Sequence, residues 1–455
     1  MKAADGLPVP QRYWAVLTVA VAISMSVLDG AIANIALPTI AGDLDASPAA
    51  SVWVVNAYQL AVTIALLPLA SLGEIVEYRR VYRVGLVVFT LASLACALSD
   101  SLTTLTLARV LQGFGAAGIM SVNTALVRFI YPRAMLGRGI GINALVVAVS
   151  SAIGPTVAAA ILSLASWQWL FAVNVPTGLI ALLATPALPR TRRARHRFDV
   201  PSAILNAATF GLLITAIDGI GHRERTLLVA AEFGGALLFG AVLVWRQLKR
   251  PWPLLPVDLL RIPLFALSIS TSVCSFTAQM LAYVALPFYL EGHLGRSVVA
   301  TGLLMTPWPL TTAVVAPIAG RLADRYPAGL LGAIGLGVFA AGLALLAMLP
   351  AHPATLDIAW RMTVCGGGFG LFQSPNNRAI VGSAPRERSG GASGMLGTAR
   401  MLGQTTGAAF VALLFGLFPA SGASLALMLG AAVAVAAALV SLTRLVEAGA
   451  VPATD

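Results

Sequence analysis

The stretch YRRVYRVGLVVFTLASLACALSDSLTTLTLARVLQGFGAAGIMSVNTALVRFIYPR, Tyr78 to Arg133, decides the fold. It carries Arg79, Arg80 and Arg83 at one end and Arg128 and Arg133 at the other. Between them lie two apolar stretches, near 81–99 and 103–125, joined by a polar gap that holds Asp100 and no basic residue. A helix needs roughly 20 residues to cross a ~30 Å hydrocarbon core, and each stretch suffices. Two crossings with both basic ends on one side make a transmembrane hairpin. The positive-inside rule places that side in the cytoplasm.

Working outward, the pattern repeats along the chain. Apolar stretches fall near 13–37, 51–72, 136–163, 168–188, 200–218, 226–245, 262–290, 297–320, 328–349, 355–380, 389–417 and 421–445, fourteen in all with the first pair. The basic residues gather in every second gap. They are Arg138; Arg190, Arg192, Arg193, Arg195 and Arg197; Arg246, Lys249, Arg250 and Arg261; Arg321 and Arg325; Arg378, Arg386 and Arg388. The intervening gaps hold only Arg223, Arg225 and Arg296. Lys2 and Arg12 put the N-terminus in the cytoplasm, and an even number of spans returns the C-terminus there. Run length without period-2 alternation predicts helices and not a barrel.

Composition agrees. With 58% hydrophobic and 10% charged residues the chain is no soluble globular protein. The net charge of +11 is spread over short loops, a topology signal that touches lipid head groups, so no nucleic acid is expected as partner. The first apolar stretch is too long for a signal-peptide core and is read as a retained span. Cys96, Cys274 and Cys365 fall inside spans without metal-ligand spacing. His196, His222, His293 and His352 all fall in gaps, and no phosphate-binding Gly-Lys-Ser/Thr loop occurs. No cofactor, no metal and no enzymatic constellation is expected. A transporter, a channel and a membrane-embedded enzyme remain as broad classes.

An internal echo favours the transporter. Leu69 to Arg80 and Ala319 to Pro327 each join two spans by a short basic loop in which an acid precedes Arg. They correspond if each half has six spans and the spans near 200–218 and 226–245 are additional. Repeated halves with a site between them are typical of secondary transporters.

Four segments carry a family resemblance that covers essentially the whole chain. Leu105 to Ala117, with Arg109, Gln112, Gly113 and Gly115, resembles the fourth-span motif of the major facilitator superfamily. Ser150 to Ala159 resembles its fifth-span antiporter motif, keeping Gly154-Pro155 but with Ala158 and Ala159 for the usual glycines. Leu28 to Pro38 and Trp167 to Gly178 resemble segments of the fourteen-span drug:proton antiporters. Gly320 to Arg325 matches the family's loop motif. The first copy departs from it, with Ala70 for Gly, Glu74 for Asp and Glu77 for Gly.

The resemblance implies an all-α major facilitator fold of two six-helix bundles, 1–188 and 262–455, with cytoplasmic linkers and two additional central spans in 189–261. It also implies proton-coupled antiport of small amphipathic, cationic drugs or toxic compounds across a bacterial inner membrane. A narrow exporter of one metabolite, and a non-transporting sensor on the same fold, stand as alternatives. Expected partners are a small-molecule substrate, protons and membrane lipids, with the chain acting as a monomer.

Individual residues sharpen this expectation. Asp29 lies mid-span, where an ionised carboxylate costs several kcal/mol, so it must meet a cavity or a partner, or be neutral. The resemblance gives it the proton-coupling role; the plain alternative is a helix–helix hydrogen bond to Asn34 or to a neighbouring span. Arg109 does not deprotonate, so it tunes or orients and does not carry the proton. Gly154 and Pro155 bend the fifth span and offer a small-residue face. Glu74, Arg79, Arg80, Arg321, Asp324 and Arg325 are candidate cytoplasmic gate residues. Phe276, Gln279 and Tyr283 share one face of the ninth span. With Trp308 and with Asn34, Tyr58, Gln59, Asn143, Gln373 and Asn377, they form the candidate substrate lining. Arg400 and Gln404 are expected to tie helices together, Asp357 and Arg361 to pair on one helix face, and Glu232 to sit at a helix interface or face lipid.

Overall fold

The structure, a computed structural model, describes residues 6–132, 135–191, 193, 197–221, 225–250, 253–385 and 388–450. Lys2, Arg133, Arg192, Arg195, His196, His222, Arg223 and Arg386 lie outside the described residues, as does the side chain of Arg138.

Fourteen long helices follow one another among the described residues. The first six are α1 (Val9–Asp43), α2 (Pro48–Val76), α3 (Tyr78–Ala97), α4 (Leu102–Ile130), α5 (Leu136–Leu164) and α6 (Trp169–Ala187). Then come α7 (Val200–Gly221) and α8 (Thr226–Leu248). The last six are α9 (Pro263–His293), α10 (Val298–Leu322), α11 (Ala328–Ala347), α12 (Thr355–Ser383), α13 (Ser389–Leu417) and α14 (Gly422–Ala450). Thirteen are long and apolar enough to cross a membrane, and the exception among the described residues is α12. Its polar content comes from the Gln373–Arg378 segment and its three successive glycines from Gly366. A helix walled in by protein does not need the hydropathy of one that faces lipid, and α12 packs between α10 and α11.

The two six-helix bundles are built on one repeated contact. In the first, a β-carbon on Gly113 would lie 2.6 Å from the Tyr58 carbonyl oxygen, and one on Gly115 would lie 2.6 Å from the Phe89 Cα. In the second, Gly366 would meet the Trp308 carbonyl carbon at 2.9 Å and Gly368 the Phe339 Cα at 2.8 Å. Only glycine lets backbones approach this closely in a bundle with no hydrophobic force between helices. The correspondence sets α4 against α12. Four residues before the first glycine stands Arg109 in one half and Met362 in the other; one residue before it stands Gln112 against Cys365. The halves repeat in backbone and differ in the polar residues they carry.

Helices α7 and α8 pack on each other, and α7 lies against α2 and α13, where Asn206 Nδ2 donates to the Ile64 carbonyl at 3.0 Å. The two additional helices stand between the halves in chain order, as expected, and lie at the periphery in space. The pair covers the outside of the α2–α13 seam, and α8 exposes Leu227, Leu237, Leu238 and Trp245 outward.

The two ends of the molecule differ. The basic loops and the outer ends of α1 and α14 share one end, called here the basic end. At the opposite end a single apolar core crosses both bundles. It draws on Ile32 to Ile40 of α1, Ala158 of α5, Ala278 to Leu290 of α9 and Leu304 of α10. At the basic end the cores are separate. One takes in Val19, Tyr82, Leu126 and Ile130, with Met401 alone from α13; the other takes in Phe265, Ile269, Ile380 and Met395. The bundles share one core at that end and keep largely separate cores at the basic end, where α2 and α13 still touch through Leu66 and Leu67 against Gly397 and Gly394.

Candidate functional site

Five helices of the first bundle converge on Asp29 of α1, which is 2% exposed. Its Oδ2 is paired with Arg109 Nη1 of α4, and the Arg109 side chain is entirely buried. Its Oδ1 accepts from Gln112 Nε2 at 2.8 Å and from Asn174 Nδ2 of α6 at 2.9 Å. Arg109 also donates to Gln112 Oε1 at 2.6 Å and, through Nε, to the Val54 carbonyl of α2 at 2.9 Å. Gln112 donates in turn to Ser93 Oγ of α3 at 2.8 Å. The remaining guanidinium face is covered by rings: the Arg109 Cζ lies 4.2 Å from the Tyr58 ring centre and 5.5 Å from that of Phe171. Cation–π attraction is strong where water is excluded.

The sequence puts these groups together by simple rules. Arg109 and Gln112 are three apart on α4 and share a face. Ser101 caps α4 in a reciprocal box with Thr104, which fixes the rung on which Arg109 stands. In this network a buried carboxylate accepts three hydrogen bonds, one of them from a permanent cation, while Arg109 Nη2 is buried without a partner. Asn34 takes no part: its Oδ1 is buried without a hydrogen-bond partner. Gln112 was legible from its spacing to Arg109. Ser93 and Asn174 were not among the expected site residues, and the one signal for them was a polar side chain within an apolar helix.

The other expected residues scatter. Tyr58 donates its hydroxyl to the Ser26 carbonyl at 3.1 Å, besides covering Arg109. Asn143 accepts from Asn123 Nδ2 at 2.9 Å within the first bundle. Trp308 is fully buried, with its ring 4.8 Å from that of Tyr283 and 5.4 Å from that of Phe339. Cavity lining is thereby corrected to core packing for Trp308, since its bulky ring fills the space between Tyr283 of α9 and Phe339 of α11. Phe276 is buried at the seam, its ring 5.5 Å from that of Phe369. Gln59 is buried beside Tyr58; Gln279, Gln373 and Asn377 are half-buried. Asn376, next to Asn377, serves a second buried network. There it accepts from Arg444 Nη1 at 2.6 Å and donates to Ser272 Oγ at 2.8 Å.

Arg400 does not tie helices together as expected. Among the described residues it makes neither hydrogen bond nor ion pair, and its Nε is buried without a partner. Its Cζ lies 5.8 Å from the Phe276 ring centre. Asp357 and Arg361 do pair, at 3.1 Å. Glu232 is half-buried on α8, and its Oε2 lacks a hydrogen-bond partner among the described residues.

Among the described ion pairs at the basic end, Arg388 ties the second bundle to Asp258 of the linker at 2.8 Å. Asp324 pairs with Arg378 of α12, and Arg80 lies 3.6 Å from Glu77 in the same loop. Arg79 is half-buried and Arg321 and Arg325 are exposed. Glu77 adopts φ 101, a backbone region that favours glycine, at the position where the family's loop motif has Gly. Across the bundles, α5 meets α10 near the opposite end. Thr156 and Thr306 hydroxyls lie 2.8 Å apart, and α10 breaks between Met305 and Pro307 at that level. Gly154 presses on Ala31 of α1, where a β-carbon would come within 2.6 Å of the Ala31 Cβ.

A two-bundle membrane protein with a buried ionic network in one bundle, a shared core at one end and separated cores at the other has the build of a secondary transporter. The chain belongs to the major facilitator superfamily, whose family model matches residues 19–408 and 267–453. It is a multi-pass membrane transporter of that type. It is 63% identical to the uncharacterized transporter YebQ of Escherichia coli, over 98% of each chain. It is 31% identical to the riboflavin transporter RibZ of Clostridioides difficile, over 89% of this chain and 88% of that one. It is 30% identical to the multidrug resistance protein Stp of Mycobacterium tuberculosis, over 84% of this chain and 72% of that one.

Proposed function

We propose that this transporter exports small amphipathic compounds across a bacterial inner membrane in exchange for protons, by alternating access, with both termini in the cytoplasm. The observation that carries the reading is the buried Asp29, on which Arg109, Gln112 and Asn174 converge. A proton on that carboxylate removes the charge that holds three helices together. Protonation and helix rearrangement are thereby linked. The network lies nearer the opposite end, with Arg109 only seven residues inside α4, which suits loading from the external side.

In this reading the bundles 1–188 and 262–455 rock about the α5–α10 and α2–α13 contacts, and 189–261 supplies the linkers and the seam cover. Separate cores at the basic end correspond to an inward-facing state. Substrate enters there, between faces bearing Tyr58, Gln59, Phe276, Gln279, Gln373 and Asn377. The protein acts as a monomer among membrane lipids. The multidrug resistance protein among its relatives supports export of foreign compounds. The riboflavin transporter favours the second reading, one metabolite carried by the same cycle. A cationic substrate was expected because Asp29 stood alone in the sequence. With that carboxylate engaged by three donors, the substrate's charge falls to other groups.

The test is proton flux in proteoliposomes with a trapped pH dye and an imposed gradient, wild type against Asp29→Asn. Substrate-dependent flux in the wild type, absent from the variant, is the expected result. Undiminished flux in Asp29→Asn would remove the coupling role.

A further inference from the structure

Among the described residues, Arg109, Arg400 and Arg444 are arginines packed within the helices; two of them make hydrogen bonds, although Arg109 Nη2 and Arg444 Nε are buried without a partner. Arg109 has its carboxylate. Arg444 donates to Asn376 and Ser268, the latter at 3.1 Å, and is bonded to Ser441. The third is Arg400. It stands eleven residues into α13, about 17 Å along the helix axis and so near mid-membrane. A guanidinium carries five N–H donors and no acceptor, and an unpaired charge at this depth costs several kcal/mol. Such a group is stable only where water or a ligand meets it.

The surroundings of Arg400 define where that ligand lies. Gly403 and Gly407 hold α13 tightly to α9: a β-carbon on Gly407 would come within 2.6 Å of the Thr277 carbonyl oxygen. That contact fixes the rung of Arg400 beside Phe276. On the other side α13 meets α2. Met401 joins the apolar core of the first bundle, and Thr405 Oγ1 lies 3.0 Å from Thr63 Oγ1. Tyr58 of α2 is within electrostatic reach of Arg400. Arg400 is half-buried at this seam, so part of it is open. Gln404 lies one turn further along the same face, and Gln279 lies three residues beyond Phe276. Both are half-buried and make no hydrogen bond among the described residues. Beside the buried Phe276 ring, two idle amides and one unneutralised cation form a receptor for negative charge.

We infer that Arg400 receives the anionic group of the exported compound, so that the substrates are amphipathic organic anions such as aromatic carboxylates. The inference rests on the exporter reading and adds the charge class. A cationic substrate in the same place would face Arg400 directly, while the mid-span carboxylate that would attract it is already engaged by Arg109.

The experiment is equilibrium binding to the purified full-length protein in nanodiscs, with three probes that share one environment-sensitive fluorophore. These are dansylglycine (anionic), dansylamide (neutral) and dansylcadaverine (cationic). Wild type should bind the anion about tenfold or more tightly than the cation, the worth of one hydrogen bond to a charged group. Arg400→Gln should abolish that preference, and Arg400→Lys should keep most of it. Equal or tighter binding of the cation by wild type, no binding of any probe, or an unchanged preference in Arg400→Gln would overturn the inference. If Arg400→Gln does not fold, the wild-type ranking and Arg400→Lys decide. Export of each probe from proteoliposomes is scored separately. Cation export without anion preference keeps the exporter reading and removes this one; anion binding with no transport does the reverse.

Discussion

The backbone of Gly302 on α10 lies against the carbonyl of Pro155 on α5: a β-carbon on Gly302 would come within 2.6 Å of that oxygen and 2.7 Å of the Ala159 Cβ. This contact belongs to the seal between the bundles at the end opposite the basic loops. Pro155 lacks the N–H that would bond the Ser151 carbonyl, and its own carbonyl faces Gly302. The seal is therefore made of backbone, which cannot give way as a flexible side chain would.

Gly302→Ala should open this seal. Overpacking at a backbone contact costs typically 1–3 kcal/mol, enough to shift a two-state equilibrium by tenfold or so. Single cysteines placed on the α5 and α10 faces should become more reactive to a membrane-impermeant thiol reagent added from the external side. Unchanged reactivity would show that the seal does not depend on this contact.

Removing one partner of the buried pair should cost more than removing both. Asp29→Ala strands Arg109 without a counter-charge, at about 3–5 kcal/mol. Asp29→Asn keeps the shape and costs less. The double variant Asp29→Asn, Arg109→Gln should be less destabilised than the sum of its single changes. Thermal unfolding in detergent reads all of these. Strict additivity would mean that the two side chains do not stabilise each other.

Glu77 holds a glycine-like φ of 101 in the loop between α2 and α3. Glu77→Gly should stabilise the protein by about 1 kcal/mol, the low end of the strain for such a residue. The lost contact to Arg80 is a surface ion pair and offsets little of that gain. A lower unfolding temperature in Glu77→Gly would show that the Glu77 side chain matters more than its backbone.

Asp199, just before α7, accepts from Arg246 Nη2 at 2.9 Å and from Ser202 Oγ at 2.7 Å. Burial pushes its carboxyl up, but the hydrogen bonds from Arg246 and Ser202 outweigh it and hold it below the usual carboxylate range. Because the folded value is lowered, its stabilisation is fully present above the unfolded value of about 3.9. It is lost as pH falls through the folded value. The stability gap between wild type and Asp199→Asn should be constant from pH 8 to 6, close to 1 kcal/mol, and should shrink in acid. A gap that widens in acid would contradict the assignment.

The sequence by itself marked fourteen apolar runs, an expected direction of crossing and the repeat. Those properties are one-dimensional: the length of an apolar run, and the side on which arginines fall. It also marked Asp29 and Arg109 as costly residues in need of partners. Only the tertiary structure decided what those partners are. Asp29, Ser93, Arg109 and Asn174 lie on four helices, and nothing along the chain states how those helices are rotated. The same rotation separated two residues that look alike on paper. Arg109 points into its own bundle and meets a carboxylate and two further acceptors there, whereas Arg400 points into the seam and makes no hydrogen bond among the described residues. Trp308, which reads as a lining residue, is turned into the core, where its ring fills the space between Tyr283 and Phe339. Periodicity says which residues share a face; packing alone says what that face meets.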